Sequence, residues 1–210
     1  MRKGIGIGCV VLGIACLLTS IGFIIYNRCE QKNGETMSQA LLQNVQLYIQ
    51  EAEPMESISP ENIPEETLTE EVPDFVSQKM QTVPAGEYES IGILSIPVLE
   101  LELPVLTDWS YAKLKQAPCH YYGSYYESDF VIAAHNYTSH FGRLSQLQAG
   151  DLVLFTDVTG KTYYYEVVLL ETLIPTATEE MITSGFDLSL YTCTPGGGNR
   201  VTVRCNKADN

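Results

Sequence analysis

Three side chains in this sequence have the types and spacing that acyl-transfer chemistry requires. Cys193 closes a short apolar run, Leu190-Tyr191-Thr192-Cys193-Thr194-Pro195, and Arg200 follows seven residues later. His135 ends a second apolar run, Val131-Ile132-Ala133-Ala134-His135-Asn136, 58 residues upstream of the cysteine. A thiolate can attack a carbonyl, an imidazole can carry the proton, and a guanidinium can fix positive charge where an oxyanion develops. Only three histidines occur in the chain, which leaves few other ways to complete such a set. Filler cysteines and satisfied core histidines also occur at strand ends, but Arg200 and the flanking threonines favour chemistry here. His120 and His140 are the competitors, and their polar, aromatic surroundings suit the surface better than a groove.

Both reactive residues stand where an apolar run stops, so a sheet would deliver them to its rim, where pKa values can be shifted. Pro195-Gly196-Gly197-Gly198 then forms a tight connection into a strand opened by Arg200. Adjacent strands lie about 4.8 Å apart, so Cys193 and Arg200 can meet on one face. Arg204 has an even offset from Arg200 and projects to the same face, as a second groove charge or a rim residue. Thr192, Thr194 and Asn136 flank the reactive groups and are candidates for substrate contact. No metal site is expected: Glu179 and Glu180 lack a third ligand group, and Cys119 and His120 lack paired zinc spacing.

Short apolar runs bounded by turn signals recur from about Gly86 onward: Ile91–Ile96, Glu100–Leu106, Phe130–Ala134, Asp151–Thr156, Thr162–Thr172, Leu188–Thr192 and Arg200–Cys205. Asp157-Val158-Thr159-Gly160-Lys161 suits a hairpin connection. Trp109–Ala117 and Thr178–Ser184 read as short helices between strands. About eight strands without long alternating helices predict a mostly β fold, a closed or nearly closed barrel, over residues 86–210.

The N-terminal part reads differently. Gly4 to Tyr26 is 23 residues without a charge, long enough to span a hydrocarbon core of roughly 30 Å as a helix. Arg2 and Lys3 precede it and favour a cytoplasmic N-terminus. No small-x-small cleavage site ends the run, which predicts an uncleaved signal-anchor over residues 1–28. Residues 29–85 form an acidic extracellular segment, with a helix from Thr36 to about Glu53 and then a Pro- and Glu-rich linker. The net charge of −14 and the absence of clustered Lys and Arg argue against a nucleic-acid partner. Of the six cysteines, Cys9 and Cys16 lie in the apolar span and Cys29 just beyond it. Cys119 and Cys205 are candidates for a disulfide in an oxidising exterior.

Ala134-His135-Asn136, Thr192-Cys193-Thr194-Pro195 and Asn199-Arg200-Val201-Thr202-Val203-Arg204 together resemble the sortase family. Ile91-Gly92-Ile93-Leu94-Ser95-Ile96-Pro97, Leu103-Pro104-Val105 and Gly150-Asp151-Leu152-Val153 are similar to other strands of that family, so the resemblance covers roughly residues 86–206. Leu190 stands where the family usually has Thr, and the interval from Cys193 to Arg200 is compact. Leu173 to Leu188 is too short for the helical insertion of class B, which leaves a weak lean toward class D. The resemblance implies Cys193 as nucleophile, His135 as general acid/base and Arg200 as the oxyanion or substrate-orienting residue. It implies a membrane-anchored transpeptidase of a Gram-positive bacterium, acting without a cofactor on surface proteins with a C-terminal LPxTG-type sorting signal. The acceptor would be an amine of a peptidoglycan precursor or a pilin. An L,D-transpeptidase is the enzymatic alternative, although its Ser-His-Gly-Cys context is absent. A degenerate extracellular adhesion or sensor domain is the non-enzymatic one.

Overall fold

A computed structural model describes residues 2–52 and 79–208. Most of the Pro- and Glu-rich segment expected as a linker lies outside the described residues. After helix α1 (Arg2–Ala52), the chain forms β1 (Val83–Ala85), β2 (Tyr88–Ile96), β3 (Leu101–Leu106), α2 (Tyr111–Leu114), β4 (Cys119–Tyr122) and β5 (Phe130–Ala133). It continues through β6 (Leu152–Asp157), β7 (Thr162–Leu173), α3 (Thr178–Ile182), β8 (Leu188–Cys193) and β9 (Arg200–Lys207). The strand order is β1-β2-β3-β4-β5-β8-β9-β7-β6, and β2 also pairs with β6. That pairing closes eight strands into a barrel, with β1 as a short ninth strand on β2. The mostly β barrel expected from the spacing of apolar runs is therefore present.

Closure depends on β2 serving two neighbours. Its register against β3 shifts between Ser90 and Gly92, while Gly92 to Ser95 pair with Asp157 to Leu154 of β6. Gly92 has φ +151°, and a Cβ there would run into the Thr156 carbonyl, so a side chain would push the seam apart. Inside the barrel, Leu94, Val105, Phe130, Ile132, Phe155, Tyr165, Leu190 and Val203 pack with no exposure. Alternation in each strand supplies this inward set, so burial of apolar area drives closure. Strand β4 escaped the sequence reading because it is four residues long and half polar.

The largest departure concerns α1. The expected membrane span and the expected helix from Thr36 are one continuous 51-residue helix. Asn33-Gly34 is a poor helical pair, costing about 1 kcal/mol at the glycine, but tertiary packing overrides it. Gly34, Ser38, Leu41 and Val45 recur at helical spacing and are all buried. Leu41 and Val45 join Ala85, Ile93, Leu106, Ala117 and Cys119 in a cluster outside the barrel wall. Val10 to Tyr26 remains uncovered, and α1 is long and apolar enough in this part to be a candidate membrane span by length and composition.

Candidate active site

The site follows from two strand pairings. Strands β5 and β8 run parallel, with Ala133 opposite Tyr191, so both finish at the same end of the barrel. The pairing continues beyond the strands: Ala134 N–H donates to the Tyr191 carbonyl (3.2 Å), and the Thr192 hydroxyl donates to the Ala134 carbonyl (2.8 Å). His135 is thereby level with the end of β8. Strand β9 returns antiparallel to β8 with Arg200 directly opposite Cys193. His135, Cys193 and Arg200 line one cavity of about 210 Å³.

Its walls are largely apolar. Trp109, Tyr121 and Tyr191 form a continuous aromatic side, with ring centroids 5.6 Å apart for Trp109–Tyr121 and 5.4 Å for Tyr121–Tyr191. Ile174, Pro175, Ala177 and Met181, from the β7–α3 connection and α3, close the other side. Ser110 caps α2 by accepting from Lys113 N–H (3.2 Å), which holds the Trp109 and Tyr111 corner. None of these wall residues was singled out from sequence. The density of Trp and Tyr in residues 109–122 was the available signal.

His135 is half-buried, and burial lowers its pKa, with the nearby Lys115 charge adding to the effect and Glu30 opposing it. The neutral imidazole is therefore favoured at neutral pH. Its Nε2 is buried without a hydrogen-bond partner among the described residues. Arg200 spends one nitrogen, Nη1, on the carbonyls of Gly197 (3.3 Å) and Asn199 (3.2 Å). Among the described residues its other N–H groups make no hydrogen bond.

The flanking candidates are not part of the lining. Thr192 is 3% exposed and its hydroxyl is committed to Ala134, so it ties the two strand ends together. Thr194 organises the turn: its N–H donates to the Asn199 carbonyl (2.9 Å) and its hydroxyl accepts from Asn199 N–H (3.0 Å). Asn136 lies next to His135 but outside the cavity. Arg204 is the clearest correction. It does share the outer face with Arg200, but the α3 segment covers it and leaves it 2% exposed. Its guanidinium donates to Glu171 (2.7 Å), Ser189 Oγ (2.8 Å) and the carbonyls of Glu180 (2.7 Å) and Met181 (3.3 Å). It holds α3 against the sheet instead of serving a groove. Arg204→Met would strand these acceptors, and a loss of about 3 kcal/mol in stability is expected from chemical denaturation.

The other histidines and cysteines are structural as well. His120 bonds the carbonyls of Thr107 (3.1 Å) and Gly123 (2.8 Å). His140 is fully buried, not a surface group, and burial first, then His135, lowers its pKa to about 4. The unfolded chain would take up that proton near pH 6.5, so the folded state loses stability as pH falls from about 6.5 to about 4. A folded His140→Phe variant is expected to flatten that part of a stability–pH curve, read by thermal melting. Cys119 and Cys205 are free, lie in separate clusters, and cannot pair across the barrel wall as arranged. Burial pushes both thiols up to about 12, so they stay protonated at neutral pH.

The comparisons with known proteins agree with this geometry. The sortase domain family matches residues 94–208, over half of the chain, and the chain belongs to the sortase family. Sortase A from Corynebacterium diphtheriae is similar at 26% identity and TM-score 0.54, over 59% of this chain and 63% of that one. Sortase C1 from Streptococcus suis is similar at 28% identity and TM-score 0.53, over 58% and 74%. A Clostridium perfringens sortase D5 transpeptidase shares the fold at 20% identity and TM-score 0.51, over 57% and 79%. The chain thus spans less than two thirds of the Corynebacterium protein. These names fall in classes A, C and D, and the lean toward class D stays an expectation. No curated protein matches the chain at the level of sequence.

Proposed function

We propose that the protein is a membrane-anchored cysteine transpeptidase that cleaves an LPxTG-type sorting signal through a thioester on Cys193. The observation that carries this reading is the shared lining of one cavity by Cys193, His135 and Arg200. His135, neutral at rest, takes the Cys193 thiol proton; the thiolate adds to the threonine carbonyl carbon, and Arg200 N–H groups stabilise the oxyanion. Collapse breaks the C–N bond to the following glycine, and the His135 imidazolium gives its proton to the departing amine. An incoming amine, from a peptidoglycan precursor or a pilin lysine, then loses a proton to His135 and attacks the thioester. The thiolate leaves, and a new amide remains. The apolar walls beside Cys193 suit leucine and proline side chains of such a signal. A degenerate adhesion or sensor domain would gain nothing from a nucleophile, a base and a guanidinium on one cavity.

The span from Val10 to Tyr26 supports a single-pass anchor with a cytoplasmic N-terminus and an extracellular barrel. Gly34, which touches the barrel, is eight residues past Tyr26, about 12 Å along a helix axis. The site would thus work close to the bilayer, where membrane-tethered substrates expose their signals. A panel of sorting-signal peptides with glycine and lysine amine acceptors tests the reading. Cleavage of one motif class, with amide formation to an added amine, is the expected result. Failure to cleave any motif, with Cys193 unmodified throughout, would overturn it.

A further inference from the structure

We propose that Tyr137 is a positioning residue for the His135 imidazole, and that helix α1 sets Tyr137 in place. The catalytic base would then be coupled to the membrane anchor. This rests on the reading of His135 as the acid/base.

The contacts form an unbroken series. The Tyr137 ring is buried and stacks on His135, with centroids 4.9 Å apart and planes 22° from parallel. Helix α1 lies against the same ring. A Cβ built on Gly34 would sit 2.7 Å from the Lys115 carbonyl oxygen and 3.1 Å and 3.2 Å from Tyr137 Cε2 and Cδ2. Only a glycine lets the helix backbone approach so closely. One turn earlier, Glu30 forms an ion pair with Lys115, and one turn later Ser38 is buried on the same face. The helix therefore presses on the tyrosine that presses on the imidazole.

The groups facing His135 are few. Tyr137 and His140 come from its own loop, Lys115 follows α2, and Glu30 belongs to α1. Cys193 and Arg200 share its cavity from β8 and β9. Lifting α1 would remove Glu30, uncover Tyr137 and let water reach the imidazole. The ring would lose its fixed plane, and its pKa would rise toward the ordinary histidine value. The aromatic wall belongs to the barrel and would remain. Displacing α1 should therefore lower kcat while KM stays nearly constant.

The test uses the full chain in detergent micelles or nanodiscs with a sorting-signal peptide. Gly34→Leu and Tyr137→Leu are each expected to lower kcat about tenfold or more, with KM within about twofold. Tyr137→Phe, which keeps a stacked ring, is expected to recover most of the kcat lost in Tyr137→Leu. Glu30→Lys should lower kcat by a few-fold, and adding Lys115→Glu should restore it; neither partner belongs to the barrel core. NMR titration of the His135 ring gives a readout without turnover, and an upward shift in Gly34→Leu is expected. An unchanged His135 titration and unchanged kcat in folded Gly34→Leu would overturn the coupling. So would a Tyr137→Phe variant as slow as Tyr137→Leu. A wild-type chain inactive on every peptide would sink the transpeptidase reading instead, while the titration would still judge the coupling.

Discussion

Cys193→Ala is expected to abolish sorting-signal cleavage, with a loss on the order of 10⁴-fold or more and no gross change in stability. The thiol is partly exposed at the end of β8 and lines the cavity, so its removal opens no cavity in the barrel core. Neither Cys119 nor Cys205 can substitute, because burial keeps both thiols protonated and away from the groove. Catalytic groups that act as a unit lose most of their effect when one is removed. A chain of unchanged melting temperature with no acyl-enzyme is therefore the expected outcome, read by peptide cleavage and differential scanning calorimetry. Serine at this position should be nearly as damaging, since an alcohol is far less ionised than a thiol.

Arg200→Ala should follow in size, lowering kcat by about 10²–10³-fold. The guanidinium is anchored through Nη1 to the Gly197 and Asn199 carbonyls, so its other donors are fixed before substrate arrives. Donors held in place cost no reorganisation when the oxyanion forms, and that is the source of their value. Lysine keeps the charge but not the fork, and Arg200→Lys is expected to recover only a small part of the loss. Steady-state kinetics separates the two roles open to this residue. A fall in kcat with constant KM marks oxyanion stabilisation, and a rise in KM marks substrate orientation.

That His135, Cys193 and Arg200 would share one rim was legible because the two runs stop at His135 and Cys193 and a third opens at Arg200. A parallel β5–β8 pair and an antiparallel β8–β9 pair then bring three strand ends to one rim. The barrel was legible from the number and spacing of short runs, although β4 was too short and too polar to register. What stayed hidden was tertiary. Strand parity puts Arg204 on the face of Arg200, but parity says nothing of the α3 segment that covers it. His140 reads as a loop residue until α1 and Tyr137 close over it. Gly34 drew no notice in the sequence, and its use as a close-contact point appears only beside Tyr137.

The α1 helix also changes the meaning of the N-terminal third. Its apolar span and its barrel-docking face are parts of one rod, with Leu41 and Val45 buried against the sheet. An anchor that only tethered the barrel would need no such seam. Under the proposed reading of His135 as the base, this one helix reaches it through Gly34 and Tyr137.

Intact-protein mass spectrometry of an acid-quenched reaction with a sorting-signal peptide tests acyl transfer through Cys193 most directly. The wild-type chain is expected to gain the mass of the N-terminal peptide fragment, with peptide mapping placing it on Cys193. Hydroxylamine or an acceptor amine should then discharge it. An adduct on another residue, or amide product from Cys193→Ala at the wild-type rate, would contradict the assignment of the nucleophile.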